Sequence, residues 1–197
     1  MRELVFLLEE GSAKALLDAL LPRMLDSRIV ARTIAFEGKQ DLERQLMKRL
    51  RGYVNPDARF LVLRDQDSAP DCTVIKHKLL ALCHAAGKQA FSRVRIACRE
   101  LEAIYLADLL AVELALGQAG LAARQNAAKF RRPDRLESPS AELRALTRGA
   151  YQKVGSSRQL GLCLDLANER SPTFRNLVRG IRQLEAELLA LPDVDHH

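Results

Sequence analysis

No apolar run in this 197-residue chain approaches the roughly 20 residues that a membrane-crossing helix needs. The opening Met-Arg-Glu leads into a short apolar run, residues 4–8, which Glu9 and Glu10 close. That run is too short for the core of a secretory signal and suits a buried strand, so a cytoplasmic protein is expected. The four cysteines, Cys72, Cys83, Cys98 and Cys163, lack the paired spacing of a zinc site. Cys72, His77, Cys83 and His84 do not share one helical face, and they read as reduced thiols and surface histidines. Neither a Gly-x-Gly-x-x-Gly run nor a Walker lysine loop follows the first apolar run, which sets aside a nucleotide-binding domain. Internal repeats and low-complexity tracts are also missing.

What is present is the composition of a soluble globular protein, 48% hydrophobic and 28% charged. The net charge is +6, and the excess gathers toward the C-terminal half. Arg124, Lys129, Arg131, Arg132 and Arg135 crowd one stretch, and Arg144, Arg148, Lys153 and Arg158 follow. A basic surface beside an acidic pocket suits a phosphodiester held by its backbone; the alternative is a set of solvated helix faces.

Residues 4–8 predict a first strand, and residues 12–25 a helix, with Ser12 as its cap and Ala15, Leu16, Ala19 and Leu20 at helical spacing. Residues 28–36 predict a second strand, 39–51 a helix, 59–64 a third strand, 72–86 a helix, and 91–98 a fourth strand running into a helix over 100–112. This alternation predicts an α/β fold, a mostly parallel sheet with helices on both faces. Beyond about residue 117 the strand signal stops, and residues 125–139 read as a charged loop. Helices are expected over 141–149, 156–168 and 172–191, the last with Ser171 as cap, Pro172 at its first position and one apolar stripe from Phe174 to Leu188. The expected organisation is an α/β domain over residues 1–116, a helical extension packed on it over 117–191, and a tail over 192–197 ending in His196-His197.

In open α/β sheets ligands gather at the carboxyl ends of the strands. The first strand ends at Glu9-Glu10-Gly11, the third at Asp65-Gln66-Asp67, and the fourth runs into Arg99-Glu100-Leu101-Glu102. Taken alone, Asp65 and Asp67 read as turn formers, with Asp67 or Ser68 starting the next helix. Acids at two further strand ends turn the reading toward a carboxylate cluster that holds a metal. Positions i and i+2 of a strand share a face, so Asp65 and Asp67 are expected to aim at one point. Glu10 is favoured over Glu9 because it precedes Gly11, which allows a tight turn, and Glu102 over Glu100 because it lies nearer the buried side of its helix.

These residues resemble the toprim fold of topoisomerases, primases and overcoming-lysogenization-defect (OLD) nucleases. The chain further resembles a bacterial toprim-like family of unknown function, through the Glu10-Gly11 opening, Glu102-Ala103-Ile104-Tyr105-Leu106-Ala107-Asp108, Tyr151-Gln152-Lys153 and Ser171-Pro172-Thr173-Phe174. The resemblance implies Glu10 as a general acid or base, Asp65 and Asp67 as metal ligands with Glu102 as an additional acid, and ATPase partners in anti-phage loci. The sequence departs from the pattern at Lys14, at Ser68-Ala69, and at Ile104 and Tyr105 in place of a tryptophan.

Two functions follow. One is a Mg²⁺- or Mn²⁺-dependent nuclease, since carboxylates suit hard divalent cations. There Lys153 or Arg158 approaches the scissile phosphate, unless both are ordinary surface charges. The other is a non-catalytic toprim-like subunit that binds an ATPase, with the stripe of the last helix as a docking surface.

Overall fold

The structure, a computed structural model, describes residues 1–192; the terminal His196-His197 lies outside the described residues. β1 (Glu3–Leu8) and β3 (Ala58–Asp65) are apolar on both faces, as the central strands of a covered parallel sheet must be. β2 (Val30–Ala35), largely exposed, and β4 (Ser92–Ala97) lie at the edges, giving the order β2-β1-β3-β4 with every pair parallel. The expected α/β sheet is therefore present.

Alternation along the strands divides the core in two. Val5, Leu7, Phe60, Val62 and Val94 meet Leu42, Leu46 and Leu50 of α2 (Lys39–Arg51) and Ile75, Leu79 and Cys83 of α3 (Cys72–Ala85). Leu4, Phe6, Leu8, Leu61 and Leu63 face the larger cluster on the other side. That cluster includes Leu16, Leu17 and Leu20 of α1 (Gly11–Leu20) and the C-terminal helices. Among these, α7 (Lys153–Cys163) lies along α1, while α8 (Pro172–Leu189) buries Phe174, Leu177, Ile181, Leu184 and Leu188. The stripe of the last helix is therefore core rather than a free docking surface. Ser171 Oγ accepts from Phe174 N at 3.1 Å and Pro172 opens the helix, as its sequence predicts.

Several elements differ from the sequence expectation for local reasons. The first helix stops at Leu20 and tightens into a 3₁₀ turn, Leu21–Arg23, because Pro22 has no N–H to donate. Its N-cap is Glu10 rather than Ser12, and Asp71, not Asp67 or Ser68, caps α3 by accepting from Thr73 N at 2.7 Å. The single helix expected over 100–112 is two, α4 (Glu102–Leu106) and α5 (Leu109–Leu116). Asp108 stands between them and accepts from Ala111 N at 3.0 Å, so it restarts the helix rather than continuing it. After three 3₁₀ turns between residues 122 and 135, α6 spans Pro139–Leu146. Among the described residues no helix is long and apolar enough to cross a membrane. All four cysteines are free, and Cys83 alone of them is fully buried.

Candidate functional site

Register sets the site. Leu8 of β1 lies beside Leu63 of β3, and Glu9 N continues the ladder by donating to Leu63 O at 3.2 Å. Glu10 is thus level with Asp65, and both fall on the face of Leu8 and Leu63. Glu9 falls with Arg64 on the other face: its Oε2 lies 3.8 Å from Arg64 Nε and accepts from Asp65 N at 3.0 Å. Arg64 also binds Glu43 of α2.

Asp65 is half-buried and has no salt bridge among the described residues. Burial, then the charges of Glu9, Glu102 and Glu10, push its carboxyl well above the usual range. The Leu101 backbone N–H is its compensating donor. Glu102, 2% exposed, enters from the first turn of α4 and accepts from Tyr151 OH at 2.9 Å. Burial raises its pKa despite that hydrogen bond.

The cation at this cluster comes from the first residue of α7. Lys153 Nζ donates to Glu10 Oε2 at 2.7 Å. Burial would lower the Lys153 pKa, but Glu10, Glu102 and Asp65 outweigh it and the net shift is upward. Behind Lys153, Tyr105 OH donates to Ser157 Oγ at 2.8 Å and Ser157 Oγ donates to the Lys153 carbonyl. The α1–α7 pair is close: a Cβ on Gly161 would lie 2.5 Å from Leu16 O. Gly11 sits beside Val154, so the helices run parallel and both N-termini face the cluster.

The structure thus brings together Glu10, Asp65, Glu102 and Lys153. It does not bring in Asp67 on the same face. Asp67 has φ 54°, which ends the strand alternation and turns its carboxylate to Lys39 Nζ at 2.8 Å, on the side of Glu9. Asp tolerates that left-handed backbone better than most residues. Arg158 stands by Asp18 rather than by the cluster, and Lys14 donates to Asp18 at 2.9 Å. Gly11 has no positive φ, so no tight turn requires it.

Sequence reasoning set Glu9 aside and missed Lys39 and the supporting role of Tyr151. Strand alternation separates Glu9 from Glu10 but says nothing of Arg64 as its partner, and no spacing in the chain places the Tyr151 hydroxyl on Glu102. Among the described residues, no group of three or more His, Cys, Asp or Glu side chains is arranged to hold a metal ion.

No curated protein and no solved structure matches the chain. A family model does match, over residues 8–182, a span that takes in every residue of the cluster; the chain belongs to the family described as domain of unknown function DUF4276.

Proposed function

We propose that the chain is a toprim-like phosphodiesterase of the nuclease type, with Asp65, Glu102 and Glu10 as its chemical centre and Mg²⁺ or Mn²⁺ as its cofactor. The observation that carries this reading is the Asp65 carboxyl, which shares its neighbourhood with Glu10 and Glu102, feels the charge of Glu9 as well, and has no salt bridge among the described residues. Four carboxylates at adjacent strand ends repel one another, and a structure keeps such a group when something cationic uses it. The donors fit a hard divalent cation in kind, being oxygen throughout.

Asp65 and Glu102 would hold the cation, while Asp67 stays on Lys39 at the side of Glu9. When bound, the cation would polarise a phosphoryl oxygen and ease deprotonation of a water. Glu10 would take the proton from the attacking water or return it to the leaving oxygen. Lys153, already on Glu10, would swing its ammonium to pair with a phosphate oxygen as charge develops there. Mn²⁺-dependent cleavage of DNA or RNA that Asp65→Ala abolishes is the expected result; full cleavage by that variant would sink the reading.

A second reading, a non-catalytic subunit that partners an ATPase in anti-phage defence, is favoured by the two lysines that already neutralise Glu10 and Asp67. The exposed Leu110 and Leu114 of α5 and Leu162 of α7 offer it an apolar surface. Calorimetry separates the two readings. Millimolar or tighter Mn²⁺ binding that is lost in the Asp65→Ala, Asp67→Ala double variant supports the enzyme. Absent metal binding, with a stable complex with a neighbouring ATPase, supports the subunit.

A further inference from the structure

We infer that the cleft of about 460 Å³ lined by Lys129, Arg131, Arg132 and Arg135 binds the phosphate backbone of double-stranded nucleic acid. The inference deepens the phosphodiesterase reading by naming its substrate form, yet it concerns binding and stands without catalysis.

Between residues 124 and 136 the chain carries five cations against one acid, Asp134. That acid is turned inward, where its Oδ2 accepts from Thr173 N at 2.8 Å, so it does not offset the cations in the cleft. Arg132 and Arg135 are exposed and have no side-chain partner among the described residues. Lys129 is held by Glu142 at 2.6 Å, and Arg131 Nε donates to Asn126 O at 3.0 Å, which leaves the rest of that guanidinium facing out. Grouping like charges in one concavity costs energy in the free protein, and a polyanion relieves that cost by releasing its own counterions.

The cleft is fixed to the carboxyl edge of the sheet. Cys98, just past β4, donates its N–H to Thr173 Oγ1 at 3.1 Å, and Thr173 N donates in turn to Asp134. Ser140 N, beyond the basic turns, donates to Glu100 Oε2 at 2.7 Å, two residues before Glu102. These bonds tie the segment that carries the cleft to the same edge of the sheet as the acidic cluster.

The form of the nucleic acid follows from what the cleft lacks. Single strands are held largely by stacking of bases on exposed aromatic rings. Phe130, the aromatic residue of this segment, is fully buried, with the Lys129 ammonium 5.5 Å from its ring centre. Tyr105 and Tyr151 are buried as well. A cleft of arginines without a ring contacts phosphates and tolerates any sequence.

The test is fluorescence anisotropy with a labelled duplex of about 20 base pairs, the matching single strand, and polyglutamate as a non-nucleic polyanion, all in EDTA to remove metal. The wild-type chain is expected to bind the duplex more tightly than the single strand, with polyglutamate a poor competitor. Arg132→Glu with Arg135→Glu, both free of internal contacts, should weaken duplex binding by about tenfold or more and lower the salt slope by about two. Arg49→Glu, exposed at the far end of α2, should change neither. No duplex binding at low salt, tighter single-strand binding, equal competition by polyglutamate, or wild-type affinity in the double variant at unchanged melting temperature would each overturn the inference. Duplex binding without metal-dependent cleavage leaves it standing and defeats the nuclease reading instead.

Discussion

Lys153 Nζ lies 2.7 Å from Glu10 Oε2, a bond between the first residue of one helix and the N-cap of another, 143 residues apart in the chain. The same ammonium interacts with Glu102 and Asp65. It supplies the positive charge that lets three acids from three strand ends share one neighbourhood.

Replacing it should expose that repulsion. Lys153 and Glu10 are partly exposed, so Lys153→Met should cost only about 0.2–1 kcal/mol at pH 7, read as a fall in melting temperature. If the cluster binds divalent cations, Mn²⁺ should stabilise the variant more than the wild type, since the ammonium no longer competes. An equal Mn²⁺ response in both would count against that competition.

Asp65 makes a prediction with a definite pH window. Its folded pKa is raised, so the ionised carboxylate costs stability as pH rises through that raised value, and nothing is lost below the ordinary value of about 3.9. Asp65→Asn removes that cost. The variant should melt higher than the wild type at pH 7 in EDTA, with the advantage vanishing toward about pH 4. A constant advantage across the range would show that packing, not charge, explains it.

The sheet and its helices were legible because hydrophobic periodicity reports backbone repeat directly: β1, β3, α2 and α8 are placed by their apolar residues alone. Strand alternation sets Glu9 and Glu10 on opposite faces, but it takes the β1–β3 register, with Leu8 beside Leu63, to make Glu10 the companion of Asp65. It fails at Asp67, where φ 54° breaks the period that the argument needs. Nor does any local pattern say that Lys153 or Tyr151 reaches the cluster, because those contacts depend on how α7 packs against α1. The split between α4 and α5 was hidden for another reason. Asp108 is a poor helix former, but apolar residues flank it on both sides, and only its bond to Ala111 N shows it acting as a cap.

All three tyrosines should resist ionisation. Burial, with help from the Glu3 carboxylate, pushes Tyr53 up to about 12, and burial with nearby acids moves Tyr105 and Tyr151 upward too. Raised tyrosine pKa values stabilise the fold fully below the ordinary value of about 10, and that stability is lost as pH climbs through the raised ones. Absorbance at about 295 nm should therefore show little tyrosinate until alkaline unfolding begins, in one transition shared with circular dichroism. A separate titration near the ordinary value would contradict the buried Tyr151–Glu102 contact.

Two glycines of α7 should respond oppositely to alanine. Nothing lies within 4 Å of a Cβ placed on Gly155, so Gly155→Ala should stabilise the protein by about 0.5–1 kcal/mol through helix propensity. A Cβ on Gly161 would meet Leu16 O at 2.5 Å and Ala19 Cβ at 2.8 Å, so Gly161→Ala should destabilise by about 1–3 kcal/mol despite the same propensity gain. Urea denaturation of both variants decides it.

The Gly161 contact also makes the helix a ruler. Gly161 is pinned to Leu16, and Lys153 is reached by counting back from it along a rigid rod. One residue inserted between them would swing Lys153 by about 100° around the axis and carry its charge off Glu10. The same insertion between Leu164 and Ser171, outside any helix, leaves the count untouched. Length between positions 153 and 161 is thus a constraint as strict as the identity of the lysine itself.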